Sequence, residues 1–468
     1  MIIRFLPGKT GQGRFRALAK MFGFHLGKRY PSLHMDDLYM SNSICLYPFG
    51  LCLSLLRRFN IDFPGLQVVL DVSTPVLGRL VIEGTLIINT TSVNLTAVYI
   101  EIKGGTLIIA STDQDGRVIG SYSGECTLTI LGTNERLSRI HGPDPRKTPT
   151  FLLGNERLLH ASGVIGVFGN FTAIGKDQGY SWLSLAAPAS AGDISILLDG
   201  VTKWQDGSEI VISPTDYDPH ESEIRRIKST LILSGRTSIL LNQPLALSHY
   251  SEESVIYGTR RMRMQGKVGL LTRNIVIRGS GEGENSPYTT WNSPKSPTKG
   301  ESIGCGNGNC ETSESSSSCP QDCFGPIYEY GTSILVSAYS EDFISCTKER
   351  VCSGGYRRAF TGAINISNVE LRYYGQNNLR NGLVLSRLGG DGKNSIAQNI
   401  SFNRGYFGAV LLELSSFVSF RNSLFYRSFL PSVEVKSGTQ NTISGTLGII
   451  GIFWNTHRGA IQAIFNAL

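Results

Sequence analysis

Alternation of apolar and polar residues is the strongest pattern in this chain, and it is clearest between Leu66 and Ala110. Apolar side chains recur there at every second position in short runs: Leu80 and Ile82, Leu86 and Ile88, Ile100 and Ile102, and Leu107 and Ile109. Glycine, asparagine or aspartate interrupts these runs where a turn has to form. Period-two alternation predicts short stacked strands, because a helix needs apolar positions three and four residues apart.

A repeat follows later in the chain. Its units begin at Asn368, Asn399, Asn422 and Gly445; the first interval is 31 residues and the next two are 23. A period of this length with short strands predicts a parallel β-helix with one coil per repeat. Each coil exposes an apolar inner face that only the next coil covers, so stability should come from stacking. Asparagine at the turn tolerates left-handed backbone and could build a ladder of side-chain amides.

We therefore expect an all-β fold. A glycine-punctuated strand domain should run into a right-handed, single-stranded parallel β-helix with a disulfide-rich loop insertion. Five side chains should line the shared interior of the coils: Val369, Leu371, Ile400, Phe402 and Leu424. An α/β fold is excluded, because no segment with helical periodicity separates the strands.

Composition sets the predicted boundaries. They are 1–62 for an atypical basic segment, 63–142 for the glycine-punctuated domain, 143–191 for a connector, 192–280 for the first β-helix coils, 281–326 for a Cys-rich loop and 327–468 for further coils.

The net charge of +7 is concentrated at the start of the chain, where residues 1–62 carry nine Lys or Arg and three Asp or Glu. The remainder is close to neutral, so a nucleic-acid partner is not expected. The apolar run at 44–56 is too short to span a bilayer, and no signal peptide is evident. We interpret the first segment as upstream or incorrectly joined sequence. The chain should then be a piece of a longer protein that reaches the membrane only through a segment missing here.

Four cysteines cluster in a stretch rich in Ser, Pro and Gly: Cys305, Cys310, Cys319 and Cys323. Their spacing differs from the paired C-x2-C of zinc ribbons, and a short polar segment cannot bury a core. Two disulfides, with three possible connectivities, are therefore favoured over a zinc site. Cys346 and Cys352 are close enough in sequence to form another disulfide.

Five N-x-S/T sequons are candidates for N-glycosylation: Asn89, Asn94, Asn170, Asn365 and Asn399. Together with the cysteine cluster they predict a secreted or cell-surface location. Asn365 and Asn399 have an alternative role as turn residues of the coils.

Calcium is the one cofactor that the sequence leaves open, since two groups of carboxylates could supply oxygen ligands. The groups are Asp216, Asp218 and Glu221 (near His220 and Glu223), and Glu311, Glu314 and Asp322. For the first group the favoured alternative is that Asp216 caps a turn while Arg225 and Arg226 neutralise the carboxylates. For the second, the alternative is a solvated loop.

The segment DVSTPVLGRLVIEGTLII…YIEIKGGTLIIAS, from Asp71 to Ser111, resembles the eight-glycine (G-eight) domain family. That family includes fibrocystin, fibrocystin-L and the cell-surface hyaluronidase group (transmembrane and hyaluronan-binding, migration-inducing proteins). Residues 207–227 and 266–279 match the same proteins in the same order. The amino-acid sequence is nearer to that of fibrocystin-L.

The resemblance also bears on catalysis. In hyaluronidase-type and fibrocystin-L-type relatives the matching coil carries a His-x-His pair, with a further histidine two coils on. Here those positions hold Leu385, Arg387 and Glu413. Leucine cannot transfer a proton and arginine stays protonated, so no catalytic residue is assigned. Walker, GxSxG and HExxH motifs are also absent from the sequence.

The leading hypothesis is therefore a non-catalytic extracellular interaction protein whose partners are matrix or cell-surface proteins or glycans. The alternative is a hyaluronan-degrading or polysaccharide-binding enzyme of the cell-surface hyaluronidase type. A degenerate product without function is the third possibility.

Overall fold

A computed structural model of the chain describes its residues in fifteen segments: 3–5, 57–61, 67–89, 92–131, 151–153, 156–158, 163–216, 221–257, 260–279, 331–346, 352–376, 380–389, 393–428, 432–449 and 461–464. Strands and turns make up these segments, and no α-helix occurs within them. The all-β prediction is confirmed. The Cys-rich stretch of the predicted loop lies outside the described residues.

Twelve described strands precede residue 175: β1 (Ile3–Phe5), β2 (Arg57–Ile61), β3 (Gln67–Leu70), β4 (Leu77–Ile82), β5 (Thr85–Ile88), β6 (Val93–Ile109), β7 (Ser111–Thr112), β8 (Val118–Gly120), β9 (Cys126–Ile130), β10 (Phe151–Leu153), β11 (Glu156–Leu158) and β12 (Val164–Ile174). Eight follow in the next hundred residues: β13 (Trp182–Ser184), β14 (Ser195–Leu198), β15 (Glu209–Ile212), β16 (Glu223–Leu233), β17 (Arg236–Leu241), β18 (Ser251–Tyr257), β19 (Arg260–Gln265) and β20 (Lys267–Leu270).

The remaining described strands are β21 (Ile275–Gly279), β22 (Ser333–Cys346), β23 (Cys352–Thr361), β24 (Ala363–Ser367), β25 (Val369–Arg372), β26 (Leu383–Ser386), β27 (Ser395–Gln398), β28 (Ser401–Asn403), β29 (Val410–Glu413), β30 (Val418–Arg421), β31 (Leu424–Tyr426), β32 (Val433–Lys436), β33 (Thr442–Ser444), β34 (Leu447–Ile449) and β35 (Ile461–Ile464).

Parallel pairing between successive coils builds three walls of a β-helix. Wall A contains β4, the middle of β6, the first half of β12, and β22, β26, β29, β32 and β35. Wall B contains β3, β5, the end of β6, the second half of β12, and β24, β27, β30 and β33. Wall C contains the start of β6, β9, β21, β25, β28, β31 and β34.

The interior of the β-helix is a continuous apolar column, as the alternation predicted. Val369, Leu371, Ile400 and Phe402 are all fully buried within it. The Phe402 ring stacks on Phe425 of the next coil at a centroid distance of 4.9 Å. Stacking of one coil on another therefore supplies most of the apolar burial.

Leu424 is a correction to the predicted interior. It is fully buried but points outward from wall C, where it packs against Val211 and Leu271. Its neighbour Phe425 takes the inward position, because successive side chains of a strand alternate between the two faces.

The predicted turn role of the repeat-starting residues is confirmed. Asn368, Asn399, Asn422 and Gly445 all lie between walls B and C with positive φ, from 50° to 64°. Backbone hydrogen bonds connect successive corners. The N–H groups of the three asparagines donate to carbonyls of the next coil, those of Gln398, Arg421 and Ser444 respectively. Left-handed backbone is least costly for Gly and Asn, which explains the choice of residue at this corner.

Residues 182–270 correct the predicted boundaries. They form a six-stranded antiparallel sheet in the order β13-β20-β15-β16-β17-β14, not the first coils of the β-helix that were predicted for 192–280. A bridge between Leu185 and Leu198 joins the two ends of this sheet, so the unit is a small barrel. It has its own apolar core around Trp204.

The predicted connector, residues 143–191, is also corrected. Within it, β12 is a central strand that pairs with β6 before it and with β22 and β24 after it. Strands β3, β4, β5, β6 and β9 of the range 63–142 likewise belong to the same large sheet as the later coils, whereas β7 and β8 form a separate hairpin. Among the described residues of the predicted 192–280 coils, only Ile275–Gly279 joins the β-helix.

One coil carries the largest interruptions. After wall B of β12 the chain makes the barrel before it reaches wall C at β21. Residues 280–330 then separate β21 from wall A at β22, and a hairpin of β22 with β23 separates wall A from wall B at β24. The 23-residue period is hidden in this coil, which is why the repeat becomes visible only after it.

Candidate interaction surfaces

The outer face of wall C is covered by the barrel. Leu424, Tyr426 and Ile449 of the β-helix pack against Val211 and Leu271, and all five are buried. Gly269 permits this approach, since a Cβ there would lie 2.6 Å from the Leu424 side chain. The outer face of wall C at Leu424, Tyr426 and Ile449 is therefore an internal surface of the molecule.

Arg273 fastens the barrel to wall C with several hydrogen bonds. Its guanidinium donates to the carbonyl of Asn399 at 3.2 Å, the carbonyl of Leu270 at 3.0 Å and Ser181 Oγ at 3.1 Å. Burial lowers the pKa of Arg273 to about 10, although Glu370 nearby acts against this shift. The polar contact was not predicted, because its partners are far apart in sequence.

Glu370 is the carboxylate of this interface and is fully buried. It accepts hydrogen bonds from Arg372 Nε at 2.7 Å and Asn403 Nδ2 at 2.9 Å. Burial would lower the pKa of Arg372, but Glu370 and Glu209 together raise it. Glu370 is thus paired with Arg372, and the buried Arg273 guanidinium is hydrogen-bonded, as burial of an ion requires.

From β12 onward the outer face of wall B carries mostly polar side chains, whereas in the earlier coils the same column holds the apolar residues Val69, Ile87 and Ile108. Register aligns Thr172, Asn365, Ile396, Ser419 and Thr442 in one column. A second column contains Ser367, Gln398, Arg421 and Ser444. Asn365, Ile396, Arg421, Thr442 and Ser444 are exposed. Neighbouring strands are about 4.8 Å apart, so this face presents hydrogen-bonding groups at a regular interval.

The sequons fall on different parts of the β-helix. Asn170 and Asn365 are exposed on wall B, and Asn94 is exposed on β6 at the start of wall C. Asn89 is half-buried and donates to Thr112 Oγ1 at 3.2 Å. Asn399 is half-buried at a corner with φ of 54°. Glycan occupancy at each site stays a prediction.

Wall A holds the positions that the resemblance relates to catalytic histidines. Leu385 is fully buried and belongs to the interior column, so its side chain does not reach the outer face. Arg387 is exposed at a corner with φ of 57°. Glu413 lies on the outer face and accepts a hydrogen bond from Ser386 Oγ at 3.1 Å. Position 385 could therefore not present a proton donor to an external substrate.

The first candidate calcium group is described only in part, and calcium binding there stays a prediction. Asp216 is exposed, Glu221 is half-buried, and Glu223 is buried in the barrel. Asp218 and His220 lie outside the described residues, as do Glu311, Glu314 and Asp322. Within the described ranges, no group of three or more His, Cys, Asp or Glu side chains could hold a metal ion.

Glu223 is engaged on all sides. His249 Nε2 lies 3.0 Å from its Oε1, the amides of Ala246 and Leu247 donate to it at 2.8 Å, and Arg225 forms an ion pair with it. Burial alone would raise the pKa of Glu223, but these hydrogen bonds and the Arg225 charge hold it below its usual value. The second ring nitrogen of His249 faces the Ser213 carbonyl at 2.9 Å. This constellation joins three segments of the barrel.

The predicted disulfides, including the one between Cys346 and Cys352, stay predictions. Cys305, Cys310, Cys319 and Cys323 lie outside the described residues. The register of the β22–β23 hairpin places Cys346 directly opposite Cys352, and Cα atoms of such pairs lie at distances that a disulfide can span. Cys126 is a free, buried cysteine, and burial raises the pKa of its thiol to about 12.

No helix in the described part of the chain is long and apolar enough to cross a membrane.

The family model of the G8 domain matches residues 63–186 of the chain. The chain is 30% identical to fibrocystin-L of Mus musculus over 233 residues, which cover 47% of this chain and 5% of that protein. It is 26% identical to fibrocystin-L of Homo sapiens over 336 residues, which cover 69% of this chain and 6% of that protein. The predicted resemblance is confirmed, and the chain carries a G8 domain.

A shorter match links the chain to the cell migration-inducing and hyaluronan-binding protein of Mus musculus, at 36% identity over 93 residues, which cover 20% of this chain and 6% of that protein. Among solved structures, the tailspike gp61 of Pseudomonas phage phi297 is similar with a TM-score of 0.18 and 9% identity, over 75% of this chain and 42% of that chain. The chain spans about a twentieth of the length of the fibrocystin-L relatives.

Proposed function

We propose that this chain is a non-catalytic extracellular interaction protein of the fibrocystin-L type, which binds matrix or cell-surface partners. The polar outer face of wall B is the feature that supports this function best. In its later coils it is a largely accessible, regularly spaced face on which each coil adds one or two polar side chains. Such a face suits an extended partner, because many weak hydrogen bonds then repeat along its length.

The contact surface would lie on the last three described coils of wall B. It comprises Ile396, Gln398, Ser419, Arg421 and Thr442. The sequons at Asn170 and Asn365 lie on earlier coils of the same wall. A glycan at Asn170 would leave the later coils open to a partner, whereas one at Asn365, the register partner of Ile396, would border the contact surface.

The test is binding of the secreted chain to immobilised matrix proteins and cell-surface glycans, measured by biolayer interferometry. Replacing Ser419 and Thr442 by Arg places bulky charge on the face, and affinity for the bound partner should fall about tenfold or more, or about 1.4 kcal/mol. The matched control replaces Glu434 and Lys436 on wall A by Arg, which should leave binding unchanged. Equal losses in both variants would contradict the proposed surface.

The enzymatic alternative is tested with high-molecular-weight hyaluronan, with and without calcium. We expect its chain length to stay constant. Shortening that is abolished by Glu413→Gln or Glu434→Gln would replace the interaction hypothesis, because glycosidic cleavage generally needs a pair of carboxyl groups.

A further inference from the structure

The far end of the β16–β17 hairpin carries a cluster of exposed aliphatic side chains. Leu231 is 60% exposed, Ile232 57% and Leu233 48%, and the turn that follows has positive φ at Ser234 and Gly235. Val201 lies beside them, since the N–H of Thr202 donates at 3.1 Å to Thr237, the register partner of Ile232. We call Val201 and Leu231–Leu233 the apolar tip.

The apolar tip faces two directions at once. Ile232 lies opposite Thr237 on one face of the hairpin, whereas Leu231 and Leu233 lie opposite Ser238 and Arg236 on the other. A flat protein surface or an added strand could cover one of these faces. A medium that surrounds the tip covers both, and the boundary region of a lipid bilayer is such a medium.

Basic residues lie directly behind the tip. Residues 226–238 contain three Lys or Arg and no acidic residue. Lys228 is exposed, and Arg236 and Arg263 both approach the single carboxylate of Asp199, at 3.7 and 3.6 Å. The exposed Lys228 therefore places a positive charge behind the tip, where anionic lipid headgroups would meet it.

The fold holds the tip away from the β-helix. Ile224, near the start of β16, packs against wall C, and the tip is at the other end of the same strand. About nine residues at ~3.3 Å each place roughly 30 Å of strand between the two. We propose that the apolar tip inserts into the surface of a bilayer that contains anionic lipid. This contact needs no segment beyond the described barrel, unlike the membrane attachment expected from the sequence.

The experiment is co-flotation of the full chain with vesicles of phosphatidylcholine alone or with one part in five phosphatidylserine. Ile232→Ser should lower the partition coefficient about tenfold, and the triple variant with Leu231→Ser and Leu233→Ser about a hundredfold or more. Lys228→Gln should lower binding about fivefold on the anionic vesicles only. All these side chains are exposed, so the far-ultraviolet circular dichroism spectrum should not change.

The matched control is Ile194→Ser. Ile194 is 55% exposed on the same barrel, and its carbonyl accepts from Leu241 at the end of β17 opposite to the tip. Its substitution should leave flotation unchanged. Failure of the native chain to float with either vesicle would overturn the proposal, as would equal flotation of the triple variant. A native dimer in light scattering that the triple variant lacks would instead make the tip a contact between copies. None of these results depends on wall B.

Discussion

The coils of the β-helix and the inserted barrel bury their apolar side chains in different ways. In the coils each strand contributes to a column that continues into the next coil, so no coil has a complete core alone. The barrel closes on itself around Trp204 and has a core of its own. The two meet at wall C, where apolar contacts and the hydrogen bonds of Arg273 to Asn399 and Glu370 join them. The apolar contacts that stabilise a coil are thus made with the coils next to it, whereas those that stabilise the barrel lie within the barrel itself.

The largest effect should come from the shared column. Phe402→Ala should lower the free energy of unfolding by about 4 kcal/mol, because it removes a buried ring that contacts three other aromatic rings. Chemical denaturation measures the loss. Phe417→Ala is the control, since Phe417 is 36% exposed and should cost about 1 kcal/mol or less. Equal costs would mean that the column is not the main source of stability.

The junction between the two regions is tested by Arg273→Met. Loss of the guanidinium leaves Glu370 without one of its positive neighbours and several buried carbonyls without a donor, which should cost about 3 kcal/mol. Calorimetry should then show the barrel and the coils melting separately. A single unshifted transition would contradict the role of Arg273 in coupling them.

The local cohesion of the barrel is tested by pH. Folding lowers the pKa of Glu223, so its contribution is complete above the pKa of the unfolded chain, about 4.3, and is lost as pH falls through the lower folded value. Glu223→Gln should cost about 2 kcal/mol at pH 7 and should weaken the decline of the melting temperature below pH 4. Glu125→Gln, at an exposed carboxylate, should change neither quantity. A wild-type acid limb retained in Glu223→Gln would show that other groups cause it.

The smallest effect should come from a corner. Asn422→Ala should cost about 1 kcal/mol, because alanine is strained at φ of 50°, whereas Asn422→Gly should be close to neutral. Thermal melts of the three chains measure the difference. If alanine and glycine had the same effect, backbone strain would not explain the asparagines at this corner.

The sequence predicts the coils well because their pattern repeats. Val369, Leu371, Ile400 and Phe402 are all inward at the predicted positions, and the corner asparagines have the predicted backbone. Leu424 is the exception to this inward pattern. Its position in the strand gives the outward face, and burial there depends on a barrel more than 150 residues earlier in the chain.

The barrel was misassigned because alternation does not distinguish parallel coils from antiparallel hairpins. Only the pairing partner differs, and single-strand patterns do not encode it. A signal was available at Ser234-Gly235, since a two-residue turn between apolar runs favours a hairpin. The polar contact of Arg273 with wall C joins residues about a hundred positions apart and has no local signature. The proposed surfaces likewise depend on register between coils, which only the folded chain supplies.

The heavily interrupted coil has an implication for how such proteins acquire new parts. From Asn170 to Gly362 that one turn takes roughly 190 residues, about eight times the 23 of later turns, yet in a simple polymer estimate lengthening a closure this much costs only about 2 kcal/mol. Additional domains can therefore be inserted at the turns between the walls while the strands of the neighbouring coils keep their pairing. A β-helix of this kind can acquire inserted domains during evolution without a change in how its coils pair.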